Sequence, residues 1–322
     1  MPPRSVSATE LETLLSELRR SVRNPRAGLF GPDSANWKVN RESVLFLAAG
    51  RAALLQLAHP WVAAAIEQHS RTLNDPISRF HHTFRVMFTM SFGSLDEAFA
   101  AARRLHRLHE TIRGPLPDTV GRFARSSSYQ ANEVGALAWV YATLIDSSLL
   151  AYDLVLPTLS AAEREQYYQE NRRSAMLFGI PPDEFPSDLA SFKLYVRSAL
   201  ASDMLGVSPA TRQLAHKLHA GHGLPAPTPL WYRSLTTQLL PTRLRQEFQL
   251  PCSPAEQRAA SRALRWIRRL YPLLPGTVRF VGPYNEAVAR LQGRSRPSLA
   301  TRMSNRLWIG QAALLSHSEA KP

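Results

Sequence analysis

The chain has 322 residues, of which 44% are hydrophobic and 20% charged, a composition typical of globular proteins and unlike that of disordered ones. A single cysteine excludes an intramolecular disulfide framework and leaves no cysteine cluster for zinc or iron–sulfur chemistry. The N-terminus lacks the apolar core of a signal peptide, and no stretch approaches the roughly 20 apolar residues of a membrane span, so we expect a cytoplasmic protein.

The formal net charge of +14 is unevenly distributed along the chain. Between Ala255 and Arg306 there are 11 arginines but only two acids, Glu256 and Glu286. A solvated, arginine-rich face is the simplest explanation. The alternative is contact of this basic C-terminal region with nucleic acid, with an acidic partner or, peripherally, with an anionic membrane. Because the region lacks the interleaved aromatic residues of a single-strand binder, we expect no nucleic-acid partner.

The strong periodic signals along the chain are helical, and they predict an all-α fold with a single multi-helix domain. Serine followed three residues later by glutamate marks several helix starts, and proline or glycine marks the stops. A loop is predicted over 221–229, and the chain after about residue 294 is basic and weakly patterned. In chain order, helices are predicted to begin after Ser7, to cover 41–57, and to run from Pro60 to about 70, from Pro76 to about 91, from Ser94 to Gly114-Pro115, from Asn132 to about 156, from Ser160 to about 179, near 187–205, over 255–272 and over 283–292.

The helix predicted after Ser94 carries two histidines on an otherwise apolar face. A buried imidazole needs a hydrogen-bond partner or a ligand role, because leaving it unpaired costs free energy. Each histidine could be a core residue bonded to a backbone carbonyl or the axial ligand of a haem iron, and the spacing does not choose between them. The residues of this face are Leu95, Phe99, Ala102, His106, His109 and Ile112.

The preceding helix carries a polar patch within apolar surroundings. Arg79, His82 and Thr83 lie at positions i, i+3 and i+4, and phenylalanines and methionines surround them. Their N–H and O–H groups can donate hydrogen bonds to a bound oxygen species or to an anion, which makes them candidate catalytic residues. The alternative is an arginine that extends to the surface beside an exposed histidine.

Five further residues are candidates for lining a cofactor pocket. Two are histidines near the ends of a short apolar helix, and three share one face of the long apolar helix that follows Asn132. A carboxylate on such a face needs a partner, so Asp146 is expected to pair with an arginine such as Arg51 or to orient a histidine. The five candidates are His59, His69, Trp139, Thr143 and Asp146.

Several segments together resemble the DUF2236 family, which includes the bacterial latex-clearing rubber oxygenases and the fungal MpaB-type oxygenase. The resemblance covers roughly residues 29–293 and implies an all-α domain that holds haem b. Residues 1–28 then form an N-terminal helical extension and residues 294–322 a basic tail. In chain order, the segments are RAALLQLAHPWVAAAIEQHS, DPISRFHHT, LHETIRG, YQANEVGALAWVYATLIDS, YYQENRRSAMLFGIP and LPGTVRFVGPYNEAVARL.

The resemblance also implies roles for particular residues. The proximal ligand of the haem iron falls on the LHETIRG segment, which selects His109 over His106. In the latex-clearing branch an arginine and a threonine four residues apart lie over the distal face, and Arg79 and Thr83 match that spacing. His82 stands where that branch has a lysine, a departure that allows a distal imidazole to bind iron or to donate a proton.

The activity that the resemblance implies is oxygenation of an apolar, isoprenoid- or lipid-like substrate by dioxygen at the haem iron. A second departure from the family is Tyr141, where many relatives carry histidine. Two alternatives stay open. One is a haem protein that is not an oxygenase, such as a peroxidase-like enzyme or a sensor. The other is a non-enzymatic, basic helical binding protein.

Overall fold

A computed structural model describes residues 4–69, 75–294 and 296–314. Within these residues the chain forms sixteen α-helices and one two-stranded sheet, which confirms the prediction of an all-α, single-domain fold. The sheet pairs β1 (Arg113–Pro115) with β2 (Ser128–Gln130) in antiparallel orientation. The helices are α1 (Ala8–Ser21), α2 (Ala35–Asn40), α3 (Ala49–Leu57), α4 (Pro60–His69), α5 (Pro76–Phe92), α6 (Leu95–Glu110), α7 (Val134–Val155), α8 (Ala161–Ala175), α9 (Leu189–Ala201), α10 (Pro209–Ala220), α11 (Leu230–Leu239), α12 (Thr242–Glu247), α13 (Pro254–Leu270), α14 (Gly276–Arg279), α15 (Gly282–Leu291) and α16 (Leu299–Ile309).

The helix starts follow local sequence signals. Ser7, Ser94 and Ser160 each accept a hydrogen bond from the backbone three residues later, and the glutamate at that position bonds back to the serine N–H. Asp75 caps α5, and Pro76 occupies its first turn. These starts agree with the sequence prediction because a cap depends only on residues within one turn.

Three sequence predictions differ from the structure. The helix predicted over 41–57 is a 3-10 helix, Ser43–Ala48, followed by α3. Gly114 does not end α6, which stops at Glu110; it pairs with Tyr129 in the sheet. The C-terminal stretch contains a full helix, α16, which packs against α15 and α5.

The apolar period of α16 does not mark its buried side, because that side is largely polar. Its buried residues are Thr301, Asn305 and Ile309, so two of the three inward positions carry polar side chains. Asn305 is completely buried, and its Nδ2 donates a hydrogen bond of 2.6 Å to Glu286 on α15. A hydrophobic period therefore does not reveal which face of this helix packs inward.

The longest helix, α7, lies in the core. Its 22 residues are apolar enough to meet the length and composition of a membrane span, which corrects the expectation that no stretch approaches that length. In the fold, 67% of its most apolar window is buried, against the 3-10 helix at Ser43–Ala48, α3 and α13. This burial is the pattern of a core helix, whose apolar side chains pack on other helices.

The helices α5 and α6 form an antiparallel hairpin that positions the candidate site. A short turn at Gly93 and Ser94 joins them, and the two helices contact each other along their length. Residues near the start of α5 therefore lie beside residues near the end of α6. This geometry brings Arg79 close to His109, although 29 positions of sequence separate them.

Candidate functional site

The two histidines of α6 have different surroundings. His106 has only 5% of its surface exposed, and its Nε2 lies 3.0 Å from the carbonyl oxygen of Val6. Its Nδ1 lies 3.7 Å from a carboxylate oxygen of Glu110, one turn further along the helix. Since both ring nitrogens face groups of the protein itself, His106 has the environment of a core histidine.

His109 is half-buried and lies in the last turn of α6. Burial lowers the pKa of its imidazole to about 4, and the charges of His106 and Arg79 act in the same direction. The imidazole is therefore neutral near pH 7. This is the form in which a ring nitrogen can donate its lone pair to a metal.

The side chain of Asn132 connects the two histidines. Its Nδ2 donates a hydrogen bond of 3.1 Å to the carbonyl oxygen of His106, so its amide oxygen is the end left to accept from another donor. Hydrogen bonding with Asn132 raises the pKa of His109 and partly offsets the effect of burial. The amide of Asn132 thus engages one nitrogen of His109, and metal-binding histidines commonly have a partner of this kind.

Asn132 is predicted from the sequence to open α7, and this prediction is wrong. The helix begins at Val134, and its N-cap is Glu133, whose carboxylate accepts a 2.6 Å hydrogen bond from the N–H of Ala136. Because Glu133 supplies the cap, the side-chain amide of Asn132 can turn towards α6. The sequence signal for this arrangement is that Asn132 directly precedes Glu133, whose side chain can itself cap the helix.

The polar patch of α5 lies on an open face of the molecule. Arg79, His82 and Thr83 are all exposed at the surface. Desolvation, followed by the charges of Arg85 and Arg79, lowers the pKa of His82, so this imidazole is also predominantly neutral near pH 7. Arg79 acts on the pKa of both His82 and His109, so the structure brings these three groups within electrostatic range of one another.

The other two predicted histidines differ in their surroundings. His59 is buried against Phe123, with ring centroids 5.1 Å apart, and its Nδ1 has no hydrogen-bond partner among the described residues. Desolvation, with a contribution from Arg122, lowers the pKa of His59 to about 3. His69 is exposed, and its Nε2 lies 3.1 Å from the carbonyl oxygen of Arg113.

The three candidates on α7 join this helix to its neighbours. Trp139 is fully buried and donates a hydrogen bond of 2.9 Å from Nε1 to the carbonyl oxygen of Leu55 on α3. Thr143 accepts a hydrogen bond of 3.0 Å from Gln56, also on α3. Asp146 forms the expected ion pair with Arg51, at 2.6 Å. In the structure these three side chains hold α7 and α3 together.

A recess of about 390 Å³ has none of the predicted site residues in its lining. It opens between the loop after β1 and the segment that connects α9 to α10, with α12 at one side. No sequence pattern predicts it, because its walls are mostly loop residues without a hydrophobic period. Its lining residues are Asp118, Thr119, Val120, Gly121, Asp203, Leu205, Gly206, Val207, Ser208, Pro209, Arg243 and Glu247.

The donor set around α6 fits a haem iron. Across residues 4–69, 75–294 and 296–314, no group of three or more histidine, cysteine, aspartate or glutamate side chains is placed to hold a metal ion. A haem iron takes four ligands from the porphyrin, so it needs only one or two from the protein. The neutral imidazole of His109, engaged by Asn132, is such a ligand.

Comparison with known protein families decides the family of the chain. Residues 37–269, more than two thirds of the sequence, match the family described as ER-bound oxygenase mpaB/B′/rubber oxygenase, catalytic domain. The chain belongs to this family. It is an oxidoreductase with an oxygenase catalytic domain, and the earlier resemblance is confirmed. All the predicted site residues lie inside this oxygenase domain, whereas α1 and α14 to α16 lie outside it. No curated protein and no solved structure matches the chain.

Proposed function

We propose that this oxygenase depends on haem b, with His109 as the iron ligand. The observation that carries the proposal is a neutral, half-buried imidazole at the end of α6, held by Asn132 and next to the polar face of α5. Haem, when bound, supplies an iron that can activate dioxygen. The protein supplies the ligand, the access route and the polar groups around the reacting molecules.

The polar face of α5 has the chemistry to orient dioxygen. Arg79 offers a fork of N–H donors, Thr83 offers a hydroxyl, and both side chains are exposed on one side of the helix. The lowered pKa of His82 leaves a neutral imidazole that can accept or return a proton near pH 7. We assign catalytic roles to Arg79, His82 and Thr83 on these grounds.

The proposed substrate is apolar and isoprenoid- or lipid-like. Four aromatic rings that are only partly buried lie next to the polar face of α5: Phe80 and Phe84 of α5 itself, Phe46 and Trp308. Phe46 lies 4.2 Å from Trp308 and 4.7 Å from Phe84, centroid to centroid, so the rings form one apolar surface. Such a surface favours hydrocarbon over polar substrates.

The proposal extends to where the enzyme acts. We place the enzyme in the cytoplasm. Because an apolar substrate partitions into lipid, we also place its basic C-terminal region in peripheral contact with a membrane. The partners are then an apolar small molecule and dioxygen, and nucleic acid is not among them.

An absorption spectrum tests the cofactor, and oxygen uptake tests the reaction. The full chain, expressed with ample haem precursor, should be red and show a Soret band. Oxygen consumption should rise on addition of an isoprenoid alkene and stay at baseline with the corresponding saturated hydrocarbon. A colourless protein would overturn the haem assignment. A haem-loaded protein that consumes no oxygen with any apolar alkene would overturn the substrate class.

A further inference from the structure

Exposed apolar side chains are concentrated at the C-terminal end of the chain. Of the twelve large hydrophobic residues that the described structure exposes, eight lie between residues 266 and 307. Several are among the most exposed of all, including Leu273 at 78%, Leu299 at 74% and Met303 at 70%. Single exposed apolar residues are ordinary, but a cluster of eight marks an interaction surface. These eight, the C-terminal apolar face, are Trp266, Leu270, Leu273, Leu274, Val278, Leu299, Met303 and Leu307.

The first part of this face is held in place by a buried carboxylate. Glu42, only 1% exposed, accepts hydrogen bonds from Tyr271 at 3.0 Å and from two nitrogens of Arg279 at 2.7 and 2.8 Å. Tyr271 and Arg279 flank residues 272–278, so both ends of the exposed segment are fixed to the core. The exposure of Leu273 and its neighbours therefore belongs to the folded state.

The second part of the face is a stripe along α16. Leu299, Met303 and Leu307 recur every fourth residue and lie on one side of the helix, while its buried residues occupy the other side. Because α14 contacts α16, the exposed Val278 segment and this stripe adjoin. Both parts thus lie on neighbouring elements, and nearly all of their exposed residues fall outside the family-matched residues 37–269.

Positive charge borders the apolar side chains. Arg302 and Arg306 lie beside the stripe on α16, and both are exposed. The region between Ala255 and Arg306 has only two acids against 11 arginines. Glu256 accepts the N–H of Ser253 in a capping box, and Glu286 is bonded to Asn305 and to the N–H of Leu314. Further exposed arginines lie on α13: Arg258, Arg262, Arg265, Arg268 and Arg269.

We propose that the C-terminal apolar face docks on an anionic phospholipid bilayer. Exposed apolar side chains between arginines match the two layers of a lipid surface, hydrocarbon below and negative headgroups above. A second copy of the chain would bring the same positive charge against itself, and nucleic acid offers nothing to bury leucine side chains. The face thus takes a bilayer rather than either of these partners.

The placement of this face also connects it to the site. α16 packs on α5, the helix that carries Arg79, His82 and Thr83, and Trp308 of α16 lies against Phe46 in the aromatic surface described above. Docking would set that surface close to the lipid phase. The docking deepens the membrane contact of the proposed function, and this last step rests also on its apolar substrate.

Vesicle co-sedimentation of the full-length protein tests the docking. The wild-type chain should bind vesicles of phosphatidylcholine mixed with phosphatidylglycerol, and should bind less to phosphatidylcholine alone. Replacing the stripe with Leu299→Gln, Met303→Gln and Leu307→Gln should weaken binding by about tenfold or more. Arg302→Ser with Arg306→Ser should weaken it by about fivefold per arginine at low salt, and less at high salt.

Leu194→Gln is the matched control. Leu194 is a leucine on α9 with 56% of its surface exposed, outside the C-terminal apolar face, so its replacement should leave vesicle binding unchanged. Circular dichroism should show the same helix content and melting temperature in all variants, because the replaced side chains face solvent. As a second readout, the tryptophan emission should shift to shorter wavelength on binding, and Trp266→Phe should reduce that shift.

Three results would overturn the proposal. In the first, the wild-type chain does not bind the mixed vesicles. In the second, the stripe variant binds them as well as the wild type does. In the third, the wild type does not bind vesicles but forms a dimer, which the stripe replacements dissociate. None of these readouts uses oxygenation, so failure of the docking and failure of the proposed reaction are separable.

Discussion

The two histidines of α6 differ in the groups that each ring meets. His106 is enclosed by a backbone carbonyl and a carboxylate, so both of its nitrogens face the protein. His109 lies three residues further along, where Asn132 engages the ring. A hydrogen bond from one nitrogen of a ligating histidine fixes its tautomer and raises its basicity.

Replacement of Asn132 tests this arrangement. Asn132→Ala should leave the helices intact and weaken haem binding by about 10- to 100-fold, because the imidazole loses the group that orients it. Haem titration followed by the Soret band measures the effect. The control is Asn171→Ala, which removes another buried amide whose partners are Tyr141 and Tyr167. Equal loss of haem affinity in both variants would show that Asn132 only supports the fold.

His59 makes stability depend on pH. The pKa of its buried imidazole falls from 6.5 to about 3, so below pH 6.5 the unfolded chain binds a proton that the folded chain does not. The contribution of His59 is complete above pH 6.5 and is lost as the pH falls towards 3. By pH 5 the loss should reach about 2 kcal/mol of the free energy of unfolding.

Urea unfolding at pH 7 and at pH 5 measures this contribution of His59 to the free energy of unfolding. The comparison is His59→Gln, which cannot take up a proton, so its free energy of unfolding should decrease by about 2 kcal/mol less than that of wild type over this interval. Both proteins share every other titrating group, and the difference isolates His59. Identical decreases in the two proteins would mean that the imidazole of His59 is protonated in the folded state.

At the scale of elements, an ion pair ties α7 to α3. Arg51 is buried, and besides Asp146 it bonds to the hydroxyl of Ser147 at 2.7 Å and to the carbonyl oxygen of Leu239 at 3.0 Å. Asp146→Asn should lower the free energy of unfolding by about 1–3 kcal/mol, because it leaves a buried guanidinium without its counter-charge. Urea unfolding measures the change.

Asp153→Asn is the comparison for this ion pair. Asp153 pairs with Arg164 at the same distance of 2.6 Å, but that arginine is more exposed, so the replacement should cost less than about 1 kcal/mol. If Asp146→Asn left stability unchanged and abolished haem binding instead, the carboxylate would belong to the cofactor site and not to the helix interface.

Local interactions decide which elements the sequence predicts. The capping boxes at Ser7, Ser94 and Ser160 involve residues three positions apart, and each forms as expected. The pairing of Gly114 with Tyr129 depends on where two distant segments meet, so the residue looked like a helix stop. The helix α16 packs through Thr301 and Asn305, polar side chains that carry no hydrophobic period.

At the scale of the whole molecule, the hairpin of α5 and α6 creates the candidate site. The sequence predicted an imidazole on an apolar stripe and a polar patch on the preceding helix, but not the distance between them. Spacing alone left His106 and His109 equivalent; family resemblance selected one, and the structure shows how their environments differ. Asn132 escaped prediction because its contact with α6 depends on the loop that follows β2.

The central claim is that His109 binds the haem iron, and the Soret band of two variants tests it most directly. His109→Ala should lose the band when expressed with ample haem precursor, and His106→Ala should largely keep it, with helix content checked by circular dichroism in both. Loss of the band in His106→Ala with retention in His109→Ala, or full retention in both, would contradict the assignment.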